Sequence, residues 1–102
     1  MIIKFLLVGD QHEFELLLVR RLKNEISQSR LFFSETMASF RRTVRREINH
    51  IIVAERMGED ALDDIKLQNQ EGLVFSQVHR VDPLNQAQIQ ALIRTLKSEV
   101  QP

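Results

Sequence analysis

The feature that most constrains this chain is an alternation, four times over, of a short apolar run with a longer stretch at helical spacing. Ile2 to Val8 opens it, apolar apart from Lys4 and stopped by Gly9 and Asp10. So continuous a run suits a strand covered on both faces, and it is read as the central strand. Phe14, Leu18, Leu22 and Ile26, spaced four apart and widened by Leu17 and Val19, then form a helical stripe within Gln11 to Ser27. Asp10 with Glu13 three residues later gives that helix a capping-box-like start.

The same alternation continues. Leu31 to Phe33 reads as a short strand closed by Ser34, and Met37, Phe40, Val44 and Ile48 as the inner face of a second helix. The outer face of that helix carries Arg41, Arg42, Arg45 and Arg46. His50 to Ala54 is the third strand; Gly58 to Asn69 is the third helix, with Ala61, Leu62 and Ile65 inward and Gly72 as its stop. Leu73 to Val78 is the fourth strand. Asp82 as N-cap and Pro83 at the first helical position start the last helix, whose stripe runs through Ile89, Leu92, Ile93, Leu96 and Val100.

Strands joined through helices must be parallel, and right-handed crossovers set the helices on both faces. The sequence therefore predicts one α/β domain over residues 1–102, a three-layer, flavodoxin-like open parallel sheet of four strands in the order βαβαβαβα. Its core is expected to be continuous through Phe5, Leu7, Leu18, Leu22, Phe40, Val44, Ile52, Val53, Val74, Leu92 and Leu96. At 102 residues and 43% hydrophobic, the chain can bury such a core without disulfides or metal. No apolar run approaches the roughly 20 residues of a membrane span, and the amino terminus does not read as a signal peptide. With no cysteine, the expected setting is the cytoplasm.

In open parallel sheets, ligands collect beyond the carboxyl ends of the strands. That rim should hold Gly9, Asp10, Gln11 and His12 after the first strand, Ser34 and Glu35 after the second, Glu55 and Arg56 after the third, and Gln77, His79 and Arg80 around the fourth. The chain has only three glycines, none beside another, so a glycine-rich phosphate loop is excluded. A nucleophile with a base in reach is not evident, and the reading is of no enzyme, no cofactor and no obligatory metal.

Two segments carry a family resemblance. Ile3 to Phe14 (IKFLLVGDQHEF) resembles the first strand and acidic loop of response-regulator receiver domains, and Asn49 to Ile65 (NHIIVAERMGEDALDDI) resembles their third strand and following helix. In that family an acidic pair holds Mg²⁺ and an aspartate accepts a phosphoryl group. Here the pair is Gly9 and Asp10, lacking one carboxylate, and Glu55 stands at the acceptor position. Ser76 matches the hydroxyl switch residue of the family, and His79 falls where its lysine would be if Val81 to Pro83 match the entry to the last helix. A receiver has five βα units and four are visible here, so one strand cannot serve both matches. The resemblance implies a bacterial-type signalling module, a pseudo-receiver that has lost phosphorylation and works by binding another protein, with a pocket of Asp10, Glu55, Ser76 and His79. The alternative is a B-type phosphocarrier domain of sugar phosphotransferase systems, whose usual cysteine is absent from the loop Gly9 to His12.

Charge weighs against other partners. Lys plus Arg equals Asp plus Glu at 14 each, and there is no Trp or Tyr to stack bases, so nucleic acid is not the expected ligand. Arg41, Arg42, Arg45 and Arg46 are the candidate partner-binding face. The acids Glu59, Asp60, Asp63 and Asp64 suit the start of a helix through its macrodipole, and they would complement the basic helix of another copy in a homo-oligomer.

Overall fold

The computed structural model describes residues 2–36, 48–70 and 77–100. Within them β1 (Ile3–Val8), β2 (Ser29–Ser34), β3 (His50–Ala54) and β4 (Gln77–Val81) form one all-parallel sheet in the order β2-β1-β3-β4. The described helices are α1 (Gln11–Glu25), α2 (Gly58–Gln70) and α3 (Gln86–Val100). The architecture is α/β, consistent with a flavodoxin-like open sheet. The expected second helix falls largely on residues 37–47, so Arg41, Arg42, Arg45 and Arg46 lie outside the described residues. Among the described residues no helix is long and apolar enough to cross a membrane.

The most continuously apolar run became the central strand, as its two-sided burial requires. β1 pairs with β2 from Ile3↔Ser29 to Val8↔Ser34 and with β3 from Phe5↔His50 to Val8↔Val53. Successive strand residues point to opposite faces, and the core is accordingly split. Phe5, Leu7, Ile52, Ala54 and Val81 pack with α1 and α3 through Phe14, Leu18, Leu22, Ile89, Leu92, Ile93 and Leu96. Leu6, Val8, Ile51 and Val53 pack on the other side with Ile48 and with Leu62 and Ile65 of α2. The single core expected from sequence is thus two, with Ile52 and its neighbour Val53 on opposite sides. Phe40, Val44 and Val74 lie outside the described residues. Met57, just beyond β3, touches both clusters.

Apart from shifts of one or two residues at other ends, three elements differ from the bounds expected from sequence. β2 extends to Ser29 and Ser34, since polar residues continue a ladder when β1 offers partners. β4 occupies Gln77–Val81 in place of the expected Leu73 to Val78; residues 71–76 lie outside the described part. The last helix starts later than Pro83. The Asp82 carboxylate accepts from Leu84 N at 3.0 Å and its carbonyl from Asn85 N at 3.0 Å, closing a separate turn. Asn85 is the actual cap, its Oδ1 accepting from Gln88 N at 3.2 Å.

Candidate functional site

The chain leaves β1 for β2 on one side and reaches β3 on the other, so the strand order reverses at β1, and a crevice opens beyond the carboxyl ends of β1 and β3. It encloses about 380 Å³ and is lined by Gly9, Asp10, Glu13, Glu35, Ala54, Arg56 and Met57. Gly9 makes it possible. Its φ is +146°, and a Cβ there would stand 2.6 Å from Ala54 Cβ and 3.1 Å from the Phe14 ring. Only glycine accommodates both that backbone and that approach. The Gly9 amide donates to Ser34 O at 2.8 Å, tying the floor to β2.

Asp10 is committed to the backbone. Its Oδ1 accepts from His12 N at 2.9 Å and Glu13 N at 3.4 Å, capping α1 as the sequence indicates. Glu13 does not complete the capping box. It turns instead to Arg56, whose Nη1 donates to Glu13 Oε1 at 3.1 Å, bridging the first turn of α1 to the 3₁₀ turn Glu55–Met57. Glu13 Oε2 is buried with no hydrogen-bond partner among the described residues. Leaving a carboxylate oxygen dry is costly, and the adjacent guanidinium is what offsets it. Among the described residues the lining of the crevice thus carries three acids, Asp10, Glu13 and Glu35, and one cation, Arg56.

Glu55 stands one residue beyond β3 but does not line the crevice. It faces Arg80 at 3.9 Å, and Arg80 also reaches Glu59 of α2 at 3.5 Å. Arg80 therefore belongs to the carboxyl rim on the α2 side of the sheet. His79 does not join it. It lies within β4 opposite Ile52, on the α1 and α3 side, and its Nε2 is 3.1 Å from Nδ1 of His50. Ser76, the remaining member of the expected pocket, lies outside the described residues. Of that pocket, the described part separates Asp10 in the crevice, Glu55 on the α2 side and His79 near the amino end.

The histidine pair escaped the sequence reading. His50 is buried, stacked on Phe5 with ring centroids 5.3 Å apart, and tilted against His79 at the same separation. One ring must donate and the other accept, so at least one is neutral while this bond stands. Nothing in the local sequence pairs two residues so far apart. The partnership depends on the register that sets Gln77 opposite His50, which brings His79 diagonally across from His50.

The acids Glu59, Asp60, Asp63 and Asp64 lie in the first turns of α2, as the dipole favours. Among the described residues no group of three or more His, Cys, Asp or Glu is arranged to hold a metal. A second cavity, of about 440 Å³, lies between α1 and α3; among the described residues of its lining Arg21 alone is charged, and that side chain is engaged with Glu25. No family model matches the chain, and comparison with the curated proteins and with the solved structures gives no match.

Proposed function

We propose that this chain is a non-catalytic regulatory module of the pseudo-receiver kind, which presents the carboxyl rim of its sheet to a protein partner. The observation that carries the reading is Gly9. It stands at the first position of the acidic pair of a receiver, where the backbone at φ +146° and the contact with Ala54 leave no room for any side chain. A carboxylate cannot be restored there without moving β1 from β3. The second acid, Asp10, caps α1 and is held by two backbone amides. Mg²⁺ wants several oxygens in octahedral array, and these residues do not fit it.

Glu55 supports the same conclusion from the other side. Its charge is engaged by Arg80 and turned towards α2, away from the crevice in which a phosphoryl group would be activated. The phosphocarrier alternative gains nothing from the loop after β1, since the Asp10 carboxylate occupies the helix amino terminus that would cradle phosphate. What the rim offers is a charged, exposed surface: Arg56 and Glu59 are 71% and 78% exposed, with Leu84 beside the last turn. Such a surface suits recognition by complementary charge. A cytoplasmic setting belongs to this proposal and is compatible with the absence of cysteine.

The test is incubation with acetyl phosphate and Mg²⁺, followed by intact mass measurement under conditions that preserve acyl phosphates. No adduct is expected. A single phosphoryl adduct that disappears in Glu55→Gln would overturn the reading.

A further inference from the structure

The two edges of the sheet are differently defended. In a parallel ladder, alternate residues bond to each neighbour, so each strand's outward groups can be assigned. Ile3 N donates to Gln28 O at 2.7 Å and Gly9 N to Ser34 O at 2.8 Å, which turns Arg30, Phe32 and Ser34 towards β1. The amides and carbonyls of Ser29, Leu31 and Phe33 therefore point outwards, and no described residue pairs with them. On the opposite edge, Gln77 N donates to Asn49 O, so Val78 and Arg80 face out from β4. That edge carries Arg80 and its acidic neighbours, the kind of charge that discourages strand pairing. β2 has a single charge, Arg30, and its Leu31, Phe32 and Phe33 are only half-buried.

We infer that the outer edge of β2 is a self-association surface, pairing antiparallel with β2 of a second copy about a two-fold axis at Leu31. The occupant follows from complementarity. A two-fold at Leu31 sets Leu31 against its own copy, Ser29 against Phe33, and Arg30 against Phe32. All three matched positions have their main-chain or side-chain groups turned the same way, because residues two apart share both edge and face. Arg30 never meets the other Arg30. Its guanidinium already lies 5.2 Å from the centroid of its own Phe32 ring, and the pairing brings a second such ring alongside. A two-fold interface is self-complementary by construction, and this one fuses the two parallel sheets through one antiparallel seam. The seam involves none of the residues that line the crevice.

Sedimentation velocity over a wide dilution series tests it on the whole chain. The mass should double as concentration rises, and Leu31→Pro, which removes only an outward amide, should hold the protein monomeric with its circular dichroism retained. Register is tested separately, because the chain has no native cysteine. Facing residues of a hydrogen-bonded antiparallel pair stand about 5.5 Å apart at Cα, within disulfide range. Leu31→Cys should therefore cross-link into dimers much faster than Arg30→Cys under mild oxidation, whether or not the proline variant folds. A monomer at every concentration, a folded Leu31→Pro protein that still dimerises, or equal cross-linking of the two cysteine variants overturns the proposal.

Discussion

The amino and carboxyl ends of this sheet are built by opposite means. At the amino end the strands are stitched together: Ile3 N donates to Gln28 O, Asn49 N to Lys4 O at 2.9 Å, Gln77 N to Asn49 O at 3.1 Å, and Lys4 N to the Asn49 side chain at 2.8 Å. Beside the stitches, His50 is buried between Phe5 and His79, and Glu25 at the end of α1 joins Arg21 to Lys97 of α3. At the carboxyl end β1 leaves the sheet through a glycine packed close against Ala54, and the side chains around it are charged and meet at long range in sequence: Glu13 with Arg56, Arg80 with Glu55 and Glu59. Main-chain hydrogen bonds and a buried ring pair hold one end shut, with ion pairs only between the helices beside it. Charges and a missing Cβ hold the other open, at the end where parallel sheets bind ligands.

The contrast is broken most severely by closing the crevice. Gly9→Ala adds a Cβ that overlaps Ala54 and Phe14 on a backbone that disfavours it, so the cost combines overpacking with strain, about 2 to 5 kcal/mol. Urea unfolding measures it. A loss below about 0.5 kcal/mol, the level of an ordinary surface change, would mean that the two strands do not approach as closely as described.

At the amino end the corresponding change is smaller. His79→Ala takes one ring from a half-buried pair and leaves the buried His50 short of one of its partners, which should cost about 1 to 3 kcal/mol by the same measurement. His79→Gln, which retains a donor and an acceptor, should recover part of the loss. Equal destabilisation by both variants would indicate that packing, and not the hydrogen bond, matters there.

These residues also mark how far the sequence could be read. β1, β3, α1 and α2 were legible because each declares itself locally, by a continuous apolar run or by a four-residue stripe with a cap. Asp10 was legible as a cap for the same reason. The start of α3 was not, because Asp82 with Pro83 and Asn85 are both sound turn or cap signals three residues apart, and only the tertiary path of the chain selects the second. The site was legible as an edge but not as a set of partners. Glu55 and Arg56 are adjacent on the rim after β3, yet Arg56 crosses to Glu13, while Glu55 faces Arg80. Such choices depend on which side of the sheet each side chain leaves from, and His79 was misplaced because the bounds of β4 decide its position.

A milder test compares caps and not ends. Asp10→Ala removes the acceptor for His12 N and Glu13 N and should cost about 1 kcal/mol; Asp10→Asn should cost much less, because an amide oxygen caps nearly as well. If the asparagine variant were as unstable as the alanine one, the charge of Asp10 would matter to the crevice beyond its cap.

The smallest effect belongs to the amino end and depends on pH. The Arg21 side chain donates to Glu25 at 2.7 Å, and this bond holds the Glu25 carboxyl below its ordinary value; partial desolvation pushes the other way, and the charges of Arg21 and Lys97 add to the lowering. A carboxyl whose folded pKa is depressed stabilises the fold above its unfolded pKa, and that contribution is lost as pH falls through the folded value. The stability difference between the wild type and Glu25→Gln should thus be level at neutral pH, shrink on acidification from about pH 4.3 downwards, and vanish below the folded pKa. Because the ions are at the surface, added salt should reduce the difference at neutral pH as well. Urea unfolding across that pH range, at low and high salt, follows both dependences. A difference that stayed level through full protonation would come from the amide that replaces the carboxyl, since the two stems are the same, and the charge of Glu25 would then contribute nothing to holding α1 against α3.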